Sequence, residues 1–225
     1  MRSLFALILL CSPCWATWNL VAHVSCTPSG SSGCTTGAID TTGANLIVVH
    51  VEGVPPNTVT DSKSNSYTAL NAISNTLSQL FYVSVPTVGS GHTFTAASLV
   101  GNLQVEAWSG AASSSPFDVQ NATVGTATTV QPGSITPSQN NSLIVTGVGA
   151  QNTQTFSINS SFTISDQWGG SGNAVPGAMA YFVQSTAAAI NPTWTETGSG
   201  VMTATIAAFK PGAATSGPKH RSLGQ

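Results

Sequence analysis

The sequence predicts an all-β protein, a two-sheet β-sandwich built from an internal duplication. Three observations carry this. Short runs of alternating or β-branched apolar residues recur along the chain. Turn-forming groups such as Pro55-Pro56, Gly89-Ser90-Gly91 and Pro132-Gly133 punctuate them, and no window sustains a helical period. The runs also occur twice in the same order. NLIVVHVEG (45–53) reads against SLIVTGVGA (142–150), and VTDSKSNSYTAL (59–70) against ISDQWGGSGNAV (164–175). FYVSVPT (81–87) reads against YFVQSTA (181–187), HTFT (92–95) against PTWT (192–195), and VEAWSG (105–110) against IAAFKP (206–211). The offset stays between 97 and 105 residues across these five blocks.

The first element is not a strand. Arg2 is followed by an apolar run from Leu4 to Leu10 and by Cys14-Trp15-Ala16, which reads as a secretory signal peptide cleaved after Ala16. The run is too short to span a bilayer, and no later stretch reaches that length. The expected mature chain starts at Thr17, is exported, and has no membrane span.

Leu20, Ala22 and Val24 alternate with Asn19, Val21 and His23 as the first strand. Cys26 and Cys34 follow around a Gly/Ser-rich loop; in an exported protein they form one disulfide. A zinc site there has only His23 nearby, too few ligands, so no metal is expected. Residues 46–51 form a nearly continuous β-branched run, the pattern of a strand buried on both faces. Residues 58–61 and 66–70 flank a Ser-Lys-Ser-Asn turn as a hairpin. Residues 80–85, 93–96 and 103–109 complete the first copy, about 18–110. The second, about 117–212, has strands at 128–130, 143–148, 162–165, 178–183, 193–196 and 203–209. Residues 213–225 read as a disordered tail.

The copies fit either two small sandwiches in series or one interleaved jelly roll. Interleaving over 17–212 is favoured, because the join AASSSP (111–116) is short, the second copy lacks a disulfide, and burial rises with domain size.

Between Thr17 and Gly212 two lysines, Lys63 and Lys210, face seven acids, a net charge of −5. Nucleic-acid binding needs basic clusters that release counterions, and none is present. An anionic membrane surface is disfavoured for the same reason. The polar surface is left to Ser, Thr, Asn, Gln and Gly, which suits uncharged partners.

VTDSKSNSYTAL, LFYVSVPTVGSGHTFT, VEAWSGA followed by SPFD, NSLIVTGVG and ATIAAFKPG together resemble an uncharacterised module of secreted bacterial and phage-associated proteins. The resemblance covers nearly the whole mature chain. It implies a jelly-roll, concanavalin-like sandwich and no assigned activity. Ser64 stands at a turn position where that module usually has glycine.

Strand parity puts His50 and Glu52 on one face, and Gln104, Glu106 and Trp108 on one face of their own strand. Should the two strands be neighbours, these residues form one acidic and aromatic patch of the kind that holds sugars. The plainer alternative makes Trp108 core and leaves both glutamates at strand ends in water. In the second copy His50 falls opposite Gly147, Glu52 opposite Gly149, Glu106 opposite Ala207 and Trp108 opposite Phe209, which confines a polar site to the first copy. Trp168, in DQWGGSG, is expected in a glycine-rich loop as a further binding contribution.

Asp61 and Asp166 fall at the same aligned position and are expected to form Asx turns. A structural calcium ion there lacks the dense oxygen ligands of calcium loops. No cofactor is expected, since phosphate loops, zinc motifs and dinucleotide fingerprints are absent. No G-x-S-x-G occurs, and His23 and His92 have no acid partner in sequence, so both read as strand-surface residues. The expected function is an exported, non-catalytic module that binds glycans or another surface polymer, or mediates adhesion. Its alternatives are a structural block of a cell-surface or virion-like assembly and a glycoside hydrolase using Glu52 and Glu106.

Overall fold

The computed structural model of the chain describes residues 15–27, 33–53, 58–70, 77–97, 101–152, 155–159, 161–169 and 175–213. The expected signal peptide up to residue 14, with Cys11 and Cys14, and the tail from residue 214 lie outside these.

The described residues contain sixteen strands and no helix. The first copy supplies β1 (Asn19–Cys26), β2 (Cys34–Thr35), β3 (Leu46–Val51), β4 (Val59–Asp61), β5 (Thr68–Ala69), β6 (Gln79–Ser84), β7 (Phe94–Ala96) and β8 (Leu103–Ser109). The second supplies β9 (Phe117–Gly125), β10 (Thr129–Val130), β11 (Ser142–Ala150), β12 (Phe156–Ile158), β13 (Thr163–Trp168), β14 (Gly177–Gln184), β15 (Trp194–Glu196) and β16 (Met202–Phe209). Copy one forms a five-stranded sheet in the order β1-β8-β3-β6-β5 and a three-stranded sheet β2-β7-β4. Copy two repeats both as β9-β16-β11-β14-β13 and β10-β15-β12. All ladders between these strands are antiparallel.

The copies therefore do not interleave. Each sheet draws its strands from one copy, and each copy closes its own small sandwich. The additional burial that interleaving was expected to provide comes from packing one large sheet on the other. Side-chain parity makes this possible. Ile47, Val49, Phe81, Val105 and Ala107 pack against Phe94 and Ala96 of their own small sheet. Leu46, Val48, Leu80 and Trp108 point the other way, onto Leu143, Val145, Met179 and Phe209 of the second copy. Both faces of β3 and β11 are buried, which explains their continuous apolar runs. The order of layers is small, large, large, small.

Ladder registers define the true equivalences. Leu46 pairs with Trp108 where Leu143 pairs with Phe209, and Val48 pairs with Tyr82 where Val145 pairs with Tyr181. Tyr82 thus matches Tyr181, one residue off the sequence alignment. The hairpin block is displaced further. Asp61 pairs with Phe94 and Ile158 pairs with Trp194, so the counterpart of Asp61 is Ile158, not Asp166.

Asp61 does form the expected Asx turn, accepting the backbone N–H groups of Lys63 and Asn65 at 2.9 and 3.1 Å. Ser64 in that turn has φ 60°, a left-handed conformation in which a glycine is unstrained. Asp61 also accepts the Tyr67 hydroxyl at 2.7 Å and lies 3.0 Å from His92 Nε2. His92 is buried, not a surface residue; its ring stacks on Phe94 and its Nδ1 lies 2.9 Å from the Thr41 hydroxyl. The expected Cys26–Cys34 disulfide is present.

Candidate functional site

Pairing of β3 with β8 brings the first-copy candidates together as parity requires: His50 lies opposite Gln104, Val48 opposite Glu106 and Leu46 opposite Trp108. Their shared face, however, is the one covered by the second copy. His50, Glu52, Gln104 and Glu106 have no exposed surface, and Trp108 is 2% exposed. The glutamates do not end their strands in water, and the cluster is a sealed polar seam between the copies.

Most of the polar groups in the seam are hydrogen-bonded. Gln104 donates its amide N–H groups to the carbonyls of Asp166 and Gly177, both at 3.3 Å, which turns its oxygen toward His50 Nδ1 at 3.0 Å. Nδ1 therefore carries a proton. His50 Nε2 lies 2.6 Å from the Ser78 hydroxyl, which neighbours the Thr205 hydroxyl at 3.3 Å. Glu52 Oε1 lies 3.1 Å from His50 Nδ1 but makes no directed hydrogen bond, and Oε2 accepts the Asn102 N–H at 3.2 Å. Burial pushes the Glu52 carboxyl up to about 7, against the opposing pull of His50 and the Asn102 N–H. Glu106 accepts the Trp108 indole N–H at 2.9 Å and the Ser165 hydroxyl at 2.6 Å. Burial pushes it also to about 7, with nearby Asp166 adding to the rise.

Ser78, His50 and Glu52 follow one another in the order of a hydrolytic triad, but a nucleophile must be reached by a substrate. Ser78 has no exposed surface and faces Thr205 of the opposing sheet. The seam joins the copies; it is not a cleft.

Glycines in the second copy make room for it. A Cβ on Gly147 would lie 2.5 Å from the His50 ring, one on Gly177 would collide with the Glu52 carboxyl, and one on Gly149 with the Leu77 carbonyl. Sequence reasoning found the His50–Gly147 and Glu52–Gly149 substitutions but read them as a lost site instead of a fitted socket. It missed Ser78, although extending the 80–85 strand by two residues puts Ser78 on the face of Leu80. It also missed Ser165, which it placed at the end of the 162–165 strand without a partner, and Asp166, which the misaligned hairpin block had assigned to a turn. Asp166 in fact lies on β13 beside a bulge and meets His23 Nδ1 at 2.9 Å and the Ser25 hydroxyl at 3.3 Å, at the solvent end of the seam.

Trp168 is the last residue of β13, paired with Gly177 and half-buried, not a loop residue. The glycine-rich segment after it, 170–174, lies outside the described residues. No aromatic side chain among the described residues is fully exposed; the exposed large apolar residues are Val85 and Val124.

One open groove of about 600 Å³ lies on the second copy, lined by Thr123, Val124, Thr129, Gln131, Asn191 and Thr193 among others, none charged. It sits between β9, an edge of the large sheet, and β10, an edge of the small one. Gln131 donates its amide to Thr193 Oγ1 at 3.0 Å and to the Asn191 carbonyl at 3.4 Å, which fixes its orientation. No group of three or more His, Cys, Asp or Glu side chains suited to a metal ion occurs among the described residues. Comparisons with protein-family models, with curated proteins and with solved structures found no match to this chain.

Proposed function

We propose that this chain is an exported, non-catalytic β-sandwich module that binds a neutral glycan or another uncharged surface polymer. The carrying observation is the groove on the second copy: an open, uncharged concavity whose polar groups are threonine hydroxyls and side-chain amides. Hydroxyl-rich chains are held by such donor and acceptor pairs, and a groove without fixed charge does not select ionic ligands. The near absence of basic residues supports the same reading, and so does the N-terminal export signal. The seam residues have a different task here. His50, Glu52, Gln104, Glu106 and Trp108 join the copies, and binding falls to the other half of the molecule.

A panel of neutral and acidic oligosaccharides probed with the folded chain tests this. Binding to neutral members that is insensitive to salt is the expected result. Binding confined to acidic members, or to none, overturns it.

A second reading, a structural block of a surface assembly, is favoured by one observation. The most elaborate polar network in the chain is used to lock its two halves together.

A further inference from the structure

The duplication supplies an internal control for the groove. Cys26 pairs with Leu103, and Thr123 pairs with Ala204, the register counterpart of Leu103. Cys34 pairs with Ala96, and the counterpart of Ala96 is Glu196, whose N–H bonds the Thr128 carbonyl at 2.9 Å. Thr123 and Thr128 are therefore the second-copy counterparts of the disulfide-bonded Cys26 and Cys34. In copy one, β1 and β2 are the two sheet edges on this side, and the disulfide ties them together. In copy two the same mouth, between β9 and β10, is the groove.

We infer that the open mouth of the second copy is a ligand site, that it takes one extended neutral glycan chain, and that the first-copy disulfide closes the equivalent mouth. This rests on the glycan-binding reading above. The groove is open and not enclosed, which suits one stretch of a longer polymer more than a small molecule buried on all sides. An extended peptide adding to the β9 edge is the rival occupant. Upstream of the groove, however, that edge is already engaged: Asn121 donates to the Ser134 carbonyl at 3.2 Å, and Asp118 accepts the N–H and hydroxyl of Ser138 at 2.6 and 2.8 Å. Only the stretch around Thr123 to Gly125 is left, too short to template a strand. Val124 is the one exposed large apolar side chain there, which gives a peptide little to anchor on but suits the C–H face of a sugar. The fixed Gln131 amide leaves its oxygen, and Thr193 its hydroxyl hydrogen, to meet ligand hydroxyls.

The test copies the first-copy staple into the second. Thr123→Cys with Thr128→Cys, its bridge confirmed by intact mass, is compared with Thr123→Ser with Thr128→Ser. The probes are neutral gluco-, manno- and N-acetylglucosamine oligomers, read by backbone amide NMR on the full mature chain. The expected result is that an oligomer shifts the signals of 123–125 and 129–131, that the stapled variant loses at least tenfold in affinity, and that the serine variant does not. Gln131→Ala, which leaves the fold uncrosslinked, should also weaken binding about tenfold. Binding that is unchanged by the staple and shifts signals elsewhere overturns the groove assignment and leaves the glycan reading standing. An unstructured peptide that occupies the groove while every oligomer fails overturns the glycan reading and keeps the groove. Failure of both kinds of probe overturns the inference.

Discussion

His50 and Gly147 are register counterparts, and they lie against each other: a Cβ on Gly147 would fall 2.5 Å from the His50 ring. A residue that touches its own counterpart sits at the local two-fold axis of a duplicated pair. With two identical copies, both positions would carry the same side chain and compete for one space. Here one copy supplies the ring and the other supplies the space. The same division holds for Glu52, set against Gly177, so the interface accepts a first-copy face on a second-copy face and resists two like faces.

Gly147→Ala should consequently destabilise the fold by roughly 1–3 kcal/mol, the usual cost of forcing a methyl group into a filled interior. His50→Ala alone is destabilising too, through its cavity and the stranded Ser78 hydroxyl. The double variant should be more stable than the sum of the two losses predicts, since the methyl group introduced at position 147 would enter the space that His50 leaves. Chemical denaturation of the three variants checks this, and strict additivity would show that the two residues do not share the space.

The seam also predicts an acid-favoured stability profile. Glu52 and Glu106 are raised from about 4.5 to about 7 by burial. Below pH 4.5 both are protonated in the folded and unfolded chain, and their contribution is fully present. Between about 4.5 and 7 the unfolded chain releases protons that the fold retains, so stability falls with rising pH; above about 7 it levels off. Asp61 acts with the opposite sign. Its own burial favours the neutral form, but the hydrogen bonds from Tyr67 and Asn65, with the nearby His92 ring, outweigh it and hold the carboxyl below 3.8. Stability from Asp61 is present above 3.8 and is lost at lower pH. The expected optimum is near pH 4–5, and thermal unfolding at pH 5 and pH 8 checks it. Glu106→Gln should flatten the fall, and a melting temperature that rises between pH 5 and 8 would refute the assignment.

Trp108→Ala should cost about 3–5 kcal/mol, in the range of large aromatic truncations. Its ring packs edge-on to Trp18 and Tyr181, with centroids at 6.4 and 4.8 Å, and its N–H satisfies Glu106. Glycan affinity, measured where the variant is still folded, should be unchanged, because the ring lies in the seam and not in the groove. A stable variant with weakened binding would return the site to the first copy.

Much of this was legible in the sequence. Continuous burial of β3 followed from its unbroken β-branched run, and the common face of His50, Glu52, Gln104, Glu106 and Trp108 followed from period-two parity. Parity states which residues share a face but not what covers it, and so the patch was read as exposed. Strands β9 and β12 were missed because FDVQNATVG presents mostly half-exposed positions at a sheet edge, where the apolar signal is weak, and FSI is only three residues long. The Asp61–Asp166 match failed for another reason. Two short turn-rich blocks aligned on one aspartate at an offset of 105, while the offset of 97 set by Leu46 and Leu143 pointed to Ile158. The groove was not legible at all, since its residues converge from three separate segments of low hydrophobicity.

The last prediction concerns whether the halves stand alone. No strand is shared between the copies, which on topology alone would permit two independent domains. The energetics point the other way. One whole apolar cluster is made from both copies: Leu46, Val48, Leu80 and Trp108 from the first bury against Leu143, Val145, Met179 and Phe209 from the second. Separation would expose that face on each half and strand the hydroxyls, amides and carboxyls of the seam. The join is also tied down: Lys210 N–H bonds the Pro116 carbonyl and Gly212 N–H bonds the Gly110 carbonyl, both at 2.7 Å, and the Trp18 indole reaches the Asn141 carbonyl at 2.8 Å. Residues 17–114 and 115–212, expressed separately, should each lack a sharp thermal transition, and mixing them should restore one. Unfolding of the whole chain should be a single transition by both fluorescence and circular dichroism. Either fragment giving a dispersed spectrum and a cooperative melt by itself would show that the interface adds to two folds that already exist, and the seam would then be a docking contact between finished domains.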